Sequence, residues 1–363
     1  MKRVYLLMAV TVVPIVLALM IGLSGKEHPG VTLIKEPVYK RFSAVAASPL
    51  MKMPKRAAWK KAAPQVKAIT IMSSADRTPQ PALFYDSGSA RKKPLLLVLH
   101  SWSADYQQQF SIPYGIWAVQ NDWVFIHPDY RGAFTNPGAT ASEAAVQDVL
   151  DAVAYAKEHA RIDESRIYIA GFSGGAMMTL IMVGRYPELW AGAVAWVPVY
   201  DLAEWYRTTR NATHDYSRHI ANSCGGPPTA GTKAAEECAK RSPAAYLKNA
   251  RGRGVPVYIA TGIDDTFVPP SHSLRAFNDL AAEEDHIRPS DIAFITRRHK
   301  IPPHLPAAPP DRLYADAGVR LLFERESNGA VLKIFKGGHD VIYNAGLSWL
   351  SGLRKGASSP DPL

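Results

Sequence analysis

Short apolar runs alternate with segments of helical period along most of the chain, from residue 67 onward. The clearest runs are PLLLVLH (94–100), WVFIHPD (123–129), RIYIAGF (166–172), WAGAVAWVPV (190–199) and VPVYIATGI (255–263). Runs that are apolar almost throughout are typical of strands buried on both faces of a sheet. Between two of them, residues 142–160 open with a serine suited to cap a helix and repeat Ala and Val at helical spacing. The alternation predicts an α/β fold with a mostly parallel sheet and helices on both faces.

The N-terminus has the pattern of an exported chain. Lys2 and Arg3 precede an apolar run without charges, residues 4–23. A secretory signal has an apolar core of about 7–15 residues and a membrane span needs about 17–25, so the length favours a span. Residues 1–25 are therefore interpreted as either an uncleaved signal anchor or a cleaved signal peptide. Both predict a periplasmic or extracellular protein, and the uncleaved anchor also predicts membrane contact through this N-terminal segment.

The net charge of +10 comes from the N-terminal part of the chain, residues 1–67. Residues 1–67 contain twelve Lys and Arg against two Asp and Glu, and the rest of the chain contains thirty of each sign. The larger, neutral part gives no support to nucleic-acid binding. Residues 26–67 are rich in Pro, Ala and Lys without a clear period, so we interpret them as an extended linker that either rests on anionic lipid or envelope polymers or is simply solvated.

One catalytic domain is predicted over residues 68–355, with a flexible tail at 356–363. Two segments interrupt the alternation, about 202–250 and 284–315, and are interpreted as lid-like insertions. The first contains Cys224 and Cys238. In an exported protein, a pair so close in sequence predicts a disulfide. Zinc binding is disfavoured because the spacing matches no common set of ligands.

The motif G-x-S-x-G occurs at Gly171 to Gly175, between a predicted strand and a predicted helix. An apolar strand is predicted to end at Phe172, and a helix is predicted to begin just after Ser173. A sharp turn between strand and helix would present the serine hydroxyl at the edge of the sheet. A serine is a poor nucleophile by itself, so it needs a base to take its proton and a carboxylate to orient that base.

Two later stretches supply the missing partners. GIDDTFVP contains Asp265, which fits the spacing G-x-x-D-x-x-V-P better than Asp264 does, and FKGGHDVI contains His339. Taken singly, the aspartate could be a helix cap and the histidine an ordinary loop residue. Their order, with each residue beyond the carboxyl end of a predicted strand, predicts a Ser173–His339–Asp265 triad. This chemistry requires no metal and no organic cofactor.

Five motifs together carry a resemblance to a known family: LLLVLHSW, DYRG, IDESRIYIAGFSGG, GIDDTFVP and GGHD. They look like the catalytic domain of the prolyl-oligopeptidase branch of the α/β-hydrolases, and of related secreted esterases, over residues 68–353. The resemblance implies an α/β-hydrolase fold. It also implies an oxyanion hole formed by the backbone N–H groups of Trp102 and Gly174.

Several further residues are candidates for substrate binding. Arg131 lies beyond a strand end and could clamp a carboxylate or phosphate, although an ion pair with Asp129 or another local acid is the alternative. Four aromatic residues could line a sugar or aryl pocket, or could pack in the core or a lid. They are Trp102, Tyr130, Trp205 and Tyr206.

The chain is expected to be a serine hydrolase that cleaves carboxylic esters through an acyl-enzyme. Its substrate is expected to be a small, aryl or carbohydrate-borne ester. One alternative is a peptidase of prolyl-oligopeptidase type acting on short peptides, which is disfavoured because such peptidases usually carry a β-propeller that the predicted linker is too short to form. The other alternative is a binding protein that keeps the fold without catalysis.

Overall fold

A nine-stranded sheet forms the centre of the protein in the computed structural model, which describes residues 30–356. Its strands are β1 (Lys67–Met72), β2 (Pro79–Tyr85), β3 (Lys93–Leu99), β4 (Val124–Pro128), β5 (Ile162–Phe172), β6 (Gly192–Trp196), β7 (Val257–Gly262), β8 (Leu321–Ser327) and β9 (Ala330–Phe335). The order is β1-β2-β4-β3-β5-β6-β7-β9-β8, and all pairs from β4 to β9 are parallel. The remaining pairs, β1–β2, β2–β4 and β8–β9, are antiparallel. The predicted α/β-hydrolase fold class is confirmed.

Helices cover both faces of this sheet. They are α1 (Phe42–Ala46), α2 (Lys55–Ala62), α3 (Ile112–Gln120), α4 (Glu143–His159), α5 (Gly174–Arg185), α6 (Leu202–Thr209), α7 (Tyr216–Cys224), α8 (Lys233–Lys240), α9 (Pro270–Leu280), α10 (Pro289–Arg298), α11 (Arg312–Asp316) and α12 (Tyr343–Ser351). The predicted cap of α4 is present, since Ser142 Oγ accepts a hydrogen bond from Ala145 N at 3.1 Å.

Strand β3 shows why the central runs are apolar at every position. Leu95, Leu97 and Leu99 pack into the core on one face, which includes α4, α5 and α9. Leu96 and Val98 point to the other face and pack in the core that includes α3 and α12. Each side chain of a strand covered on both faces meets an apolar layer, so the two-residue alternation of a half-buried strand is lost.

The N-terminal segment, residues 31–66, is folded rather than extended. It contains α1 and α2, and its side chains Ile34, Val45 and Trp59 are buried in the core on the α3 face. The indole Nε1 of Trp59 donates a hydrogen bond to the Gln107 carbonyl at 3.1 Å. The interpretation of this stretch as an extended linker is therefore corrected. Its apolar residues lie on several short helices and turns that contact the domain separately. They therefore show no single helical or strand period in the sequence.

The predicted boundaries of the catalytic domain and of its two insertions remain predictions. The stretch 202–250 contains α6, α7 and α8, and the stretch 284–315 contains α10 and a proline-rich connection. Across residues 30–356, no helix combines the length and apolar character that crossing a membrane requires. The predicted signal or anchor, residues 1–25, lies outside the described residues, as does the tail from residue 357.

A disulfide joins Cys224 at the end of α7 to Cys238 in α8, with their Cα atoms 5.3 Å apart. The predicted pairing is confirmed. Both residues are buried in the core on the α4 and α5 face. The bridge therefore ties two helices of the insertion to each other and to the domain beneath.

Replacing both cysteines by alanine is expected to lower the free energy of unfolding by about 3 kcal/mol, because the open loop has more conformational entropy in the unfolded chain. Urea unfolding followed by tryptophan fluorescence measures the change. Dithiothreitol should destabilise the parent and leave the double variant unaffected. Equal stability of parent and double variant would contradict the prediction.

Candidate active site

Ser173 stands at the tip of the turn between β5 and α5. Its φ of 57° and ψ of −118° place it in a region that residues with a side chain rarely adopt. Its backbone N–H donates to the Trp196 carbonyl at 2.9 Å, which fixes the turn against β6. Strain of this kind is typical of a nucleophile held at a strand-to-helix turn.

The flanking glycines are required by close contacts of the backbone. A Cβ on Gly171 would lie 2.2 Å from the Gly175 carbonyl oxygen, and a Cβ on Gly175 would lie 2.3 Å from the Leu99 carbonyl oxygen. Real Cβ atoms do not approach so closely, so β5, α5 and β3 can meet here only because these positions lack side chains. The G-x-S-x-G spacing thus has a steric reason in this fold.

Asp265 and His339 form a hydrogen-bonded pair beyond the ends of β7 and β9. His339 Nδ1 lies 2.7 Å from Asp265 Oδ2. The other carboxylate oxygen, Oδ1, accepts hydrogen bonds from Phe267 N at 2.9 Å and Val268 N at 3.0 Å. The carboxylate is buried and fully hydrogen-bonded, so it can hold the imidazole in one orientation.

The neighbouring acid has a different role. Asp264 is paired with Lys336 Nζ at 2.7 Å and is partly exposed. The structure therefore pairs His339 with Asp265, the aspartate that the spacing of the motif favoured, and leaves Asp264 in an ion pair at the surface.

The histidine is packed against the turn that carries the serine. The ring of His339 lies 4.7 Å from the ring of Phe172, the residue just before Ser173, and 5.4 Å from the ring of Phe267. Within residues 30–356, the hydrogen bonds of Ser173 and His339 do not include one between the two side chains. Contacts between nucleophile and base are often loose in a free enzyme and tighten when substrate binds.

The two amides predicted for the oxyanion hole are next to each other. The Trp102 nitrogen lies 2.8 Å from the point where a Cβ on Gly174 would stand. In the part of the chain that the structure describes, neither the Trp102 N–H nor the Gly174 N–H donates to a protein acceptor. Two unpaired amides beside the serine turn are available for an oxyanion.

Residues of the first insertion cover this loop. The indole of Trp102 packs edge-on to Trp205 with 4.8 Å between ring centroids, and its Nε1 donates to His219 Nδ1 at 3.4 Å. Trp205 stacks on Tyr216 at 4.9 Å, and its Nε1 donates to the Phe267 carbonyl at 2.8 Å. Burial is the main cause that lowers the pKa of His219. The sequence did not predict that His219, Tyr216 and Phe267 lie around the Trp102 loop. The high aromatic content of the insertion was the signal that could have indicated such packing.

Arg131 is not free to clamp a substrate. Its guanidinium donates to Asp148 Oδ2 and Asp76 Oδ2, both at 2.6 Å, and to Ser73 Oγ at 2.8 Å. The hydrogen bond from Arg131 is the largest cause that lowers the pKa of Asp76. The substrate-binding interpretation is therefore corrected in favour of an ion pair with local acids, which are Asp76 and Asp148 rather than Asp129.

The remaining aromatic candidates are mainly packed. Tyr130 is fully buried, stacks on His100 at 4.2 Å and donates its hydroxyl to the His100 carbonyl at 2.7 Å. Trp205 is also buried, and Tyr206 on α6 is partly buried against the same core. His100 holds the loop through contacts of its ring nitrogens with the carbonyls of Ser101 and Asp129. Tyr130 is therefore a packing residue beneath the loop that carries Trp102.

The model of the prolyl oligopeptidase family matches residues 116–301, half of the chain. The chain belongs to the prolyl oligopeptidase family. It is accordingly a serine hydrolase, which leaves esterase and peptidase activity as the two alternatives. The matched residues of this family member include Ser173 and Asp265, whereas Trp102 and His339 lie outside them.

Curated relatives of this family member include both kinds of enzyme. Acylamino-acid-releasing enzyme 2 of Oryza sativa is 26% identical over 237 residues, which cover 61% of this chain and 30% of the rice protein. Acetylxylan esterase A of Emericella nidulans is 26% identical over 129 residues, which cover 32% of this chain and 41% of the fungal protein. The matches therefore span less than half of the length of either relative.

The solved structures that match this chain include a peptidase and an esterase. A puromycin-hydrolyzing peptidase of Mycobacterium tuberculosis gives a TM-score of 0.48 at 16% identity, over 79% of this chain and 39% of that chain. A thermostable esterase gives a TM-score of 0.41 at 18% identity, over 60% of this chain and 52% of that chain.

Proposed function

We propose that the protein is a carboxylesterase with the triad Ser173, His339 and Asp265. The observation that carries the proposal is the pair of buried Asp265 and partly buried His339, with 2.7 Å between Oδ2 and Nδ1, packed through Phe172 onto the strained turn of Ser173. A base oriented by a carboxylate next to a serine at a sharp turn is the arrangement that activates a hydroxyl.

The mechanism is acyl transfer in two steps. His339 Nε2 takes the proton of the Ser173 hydroxyl while Oγ attacks the ester carbonyl, and the N–H groups of Trp102 and Gly174 donate to the oxyanion that forms. His339 then gives its proton to the departing alcohol, which leaves an acyl group on Ser173. A water attacks this acyl-enzyme by the same route and releases the acid. Asp265 holds the imidazole throughout and stabilises its protonated form.

A neutral ester fits the surroundings of the site. Arg131, a candidate from the sequence, and Asp264, the neighbour of Asp265, are each engaged by oppositely charged partners. Trp102 and Trp205 are buried against each other, whereas Phe267 beside His339 is 42% exposed. An exposed ring of this kind is suited to contact an aryl group or a sugar. The acetylxylan esterase relatives support an ester carried by a carbohydrate, and the disulfide supports an exported location.

Peptidase activity is the second candidate. The rice relative, an acylamino-acid-releasing enzyme, matches 61% of this chain, about twice the share matched by the fungal esterase. Amide and ester cleavage use the same triad and oxyanion hole, so the substrate decides between them.

Turnover of p-nitrophenyl acetate is expected to exceed turnover of a prolyl p-nitroanilide, because the predicted site offers aromatic surface rather than free charges. Release of acetate from acetylated xylo-oligosaccharides, followed in parallel, tests the carbohydrate-borne class. The Ser173→Ala variant gives the background for every substrate. Substantial anilide turnover with negligible ester turnover would reverse the ranking in favour of a peptidase.

A further inference from the structure

The loop of His339 has little of its own to fix its shape. Gly337, with a φ of 155°, and Gly338 precede the histidine. Glycines leave a backbone more freedom than any other residue. The position of the base therefore depends on contacts with other parts of the domain, which include Asp265, the Asp264 N–H that donates to the Gly337 carbonyl at 2.8 Å, and the N-terminal segment.

The N-terminal strap, residues 40–43, lies antiparallel to the residues that follow His339. Phe42 N donates to the Val341 carbonyl at 3.0 Å, and Tyr343 N donates to the Lys40 carbonyl at 3.2 Å. Arg41 and Ile342 form an antiparallel bridge between these two hydrogen bonds. The strap is thus paired with the end of the histidine loop.

Side chains strengthen this pairing at the residue next to the base. Asp340 Oδ1 accepts hydrogen bonds from Ser43 N at 3.0 Å and from Val341 N at 2.9 Å, and Oδ2 accepts from Ser43 Oγ at 2.6 Å. The Asp340 residue is 8% exposed. Hydrogen bonds to a carboxylate are stronger than those between neutral groups, so Ser43 fixes Asp340 firmly.

The strap also reaches the serine side of the site. The ring of Phe42 lies 4.6 Å from the ring of Phe172, which in turn lies 4.7 Å from the ring of His339. One short segment therefore contacts both the residue before the nucleophile and the residue after the base.

We propose that Ser43 is a positioning residue, which through Asp340 sets the place of His339 relative to Ser173. The inference rests on the proposed triad. Neither Ser43 nor Asp340 touches the reacting atoms, and both lie outside residues 116–301, the part matched by the family model. The strap, residues 40–43, thus takes part in positioning the base, and the rest of the segment before the sheet does not.

Ser43→Ala tests this role against a matched control. Ser48→Ala makes the same change in the same segment, but the Ser48 hydroxyl donates to the Val45 carbonyl at 2.7 Å and, among residues 30–356, forms no hydrogen bond with the histidine loop. Ser43→Ala is expected to lower kcat for p-nitrophenyl acetate about tenfold or more, with KM within about twofold, because small displacements of a base are costly. Ser43→Thr keeps the hydroxyl and should restore most of kcat. Ser48→Ala should leave kcat unchanged.

The rate of labelling by a fluorophosphonate separates this inference from the proposed function. If the parent does not label, the triad itself is refuted. A parent that labels, with Ser43→Ala labelling equally fast, overturns the positioning role alone. Asp340→Ala and the double variant complete a cycle on kcat, in which effects that do not add up support action through one contact. Purely additive losses, or losses in thermal stability alone, would refute the proposal.

Discussion

Ser173→Ala is expected to abolish labelling by a fluorophosphonate and to lower kcat for p-nitrophenyl acetate by at least about 10⁴-fold, because loss of a serine nucleophile removes the acyl-enzyme route. The thermal unfolding midpoint should change little, since alanine removes only a hydroxyl and keeps the backbone hydrogen bond of Ser173 N to the Trp196 carbonyl. Gel fluorescence after probe treatment and initial rates measure the two effects.

A matched variant shows that the loss is specific to this serine. Ser223 in α7 is also buried, and its hydroxyl is hydrogen-bonded to Thr140 Oγ1 at 2.7 Å. Ser223→Ala should label as the parent does. If Ser173→Ala retains both labelling and turnover, the nucleophile lies elsewhere and the proposed function fails.

Removal of the N-terminal segment is expected to have the second largest effect. A chain that starts at residue 67 lacks Ile34, Val45, Leu50 and Trp59, all of which are buried. Deleting buried side chains of this size costs about 2–5 kcal/mol each, and most domains have only about 5–15 kcal/mol of stability in total. We therefore expect the shortened chain to be insoluble or unfolded, as judged by circular dichroism and by loss of esterase activity.

A single substitution tests the same point more gently. Trp59 is 3% exposed, and Trp59→Ala should lower the free energy of unfolding by about 3–5 kcal/mol. Lys60→Ala, at the exposed neighbouring position, should change it by no more than about 0.5 kcal/mol. A stable and active chain beginning at residue 67 would show that the segment only rests on the domain.

The fold was predictable because burial on both faces of a parallel sheet leaves a direct trace in the sequence. The runs at Leu95–Leu99 and Ile167–Phe172 are strands for the reason that predicted them, and Ser142 caps α4 as expected. The N-terminal segment left no such trace. Its buried residues, among them Val45 and Trp59, lie in a stretch rich in Pro, Ala and Lys, and its composition therefore resembled that of a linker.

The site was predictable to the extent that local geometry requires particular residues. Gly171 and Gly175 are forced by contacts under 2.5 Å, and motif spacing selected the aspartate that pairs with His339. Partners distant in sequence could not be read in this way. Arg131 pairs with Asp76 and Asp148 because β1 and α4 meet there, a neighbourhood that only the folded chain creates.

The pairing of the strap with residues 340–343 has a consequence for the order of folding. These two stretches are separated by about 300 residues, and synthesis from the N-terminus completes the strap long before its partner exists. Contacts of such high sequence separation form late, because closing the intervening chain costs entropy. The base can thus be held in place only after nearly the whole domain has been made. Hydrolytic activity is expected to emerge at the last stage of folding, when partly folded chains have already buried most of their sheet.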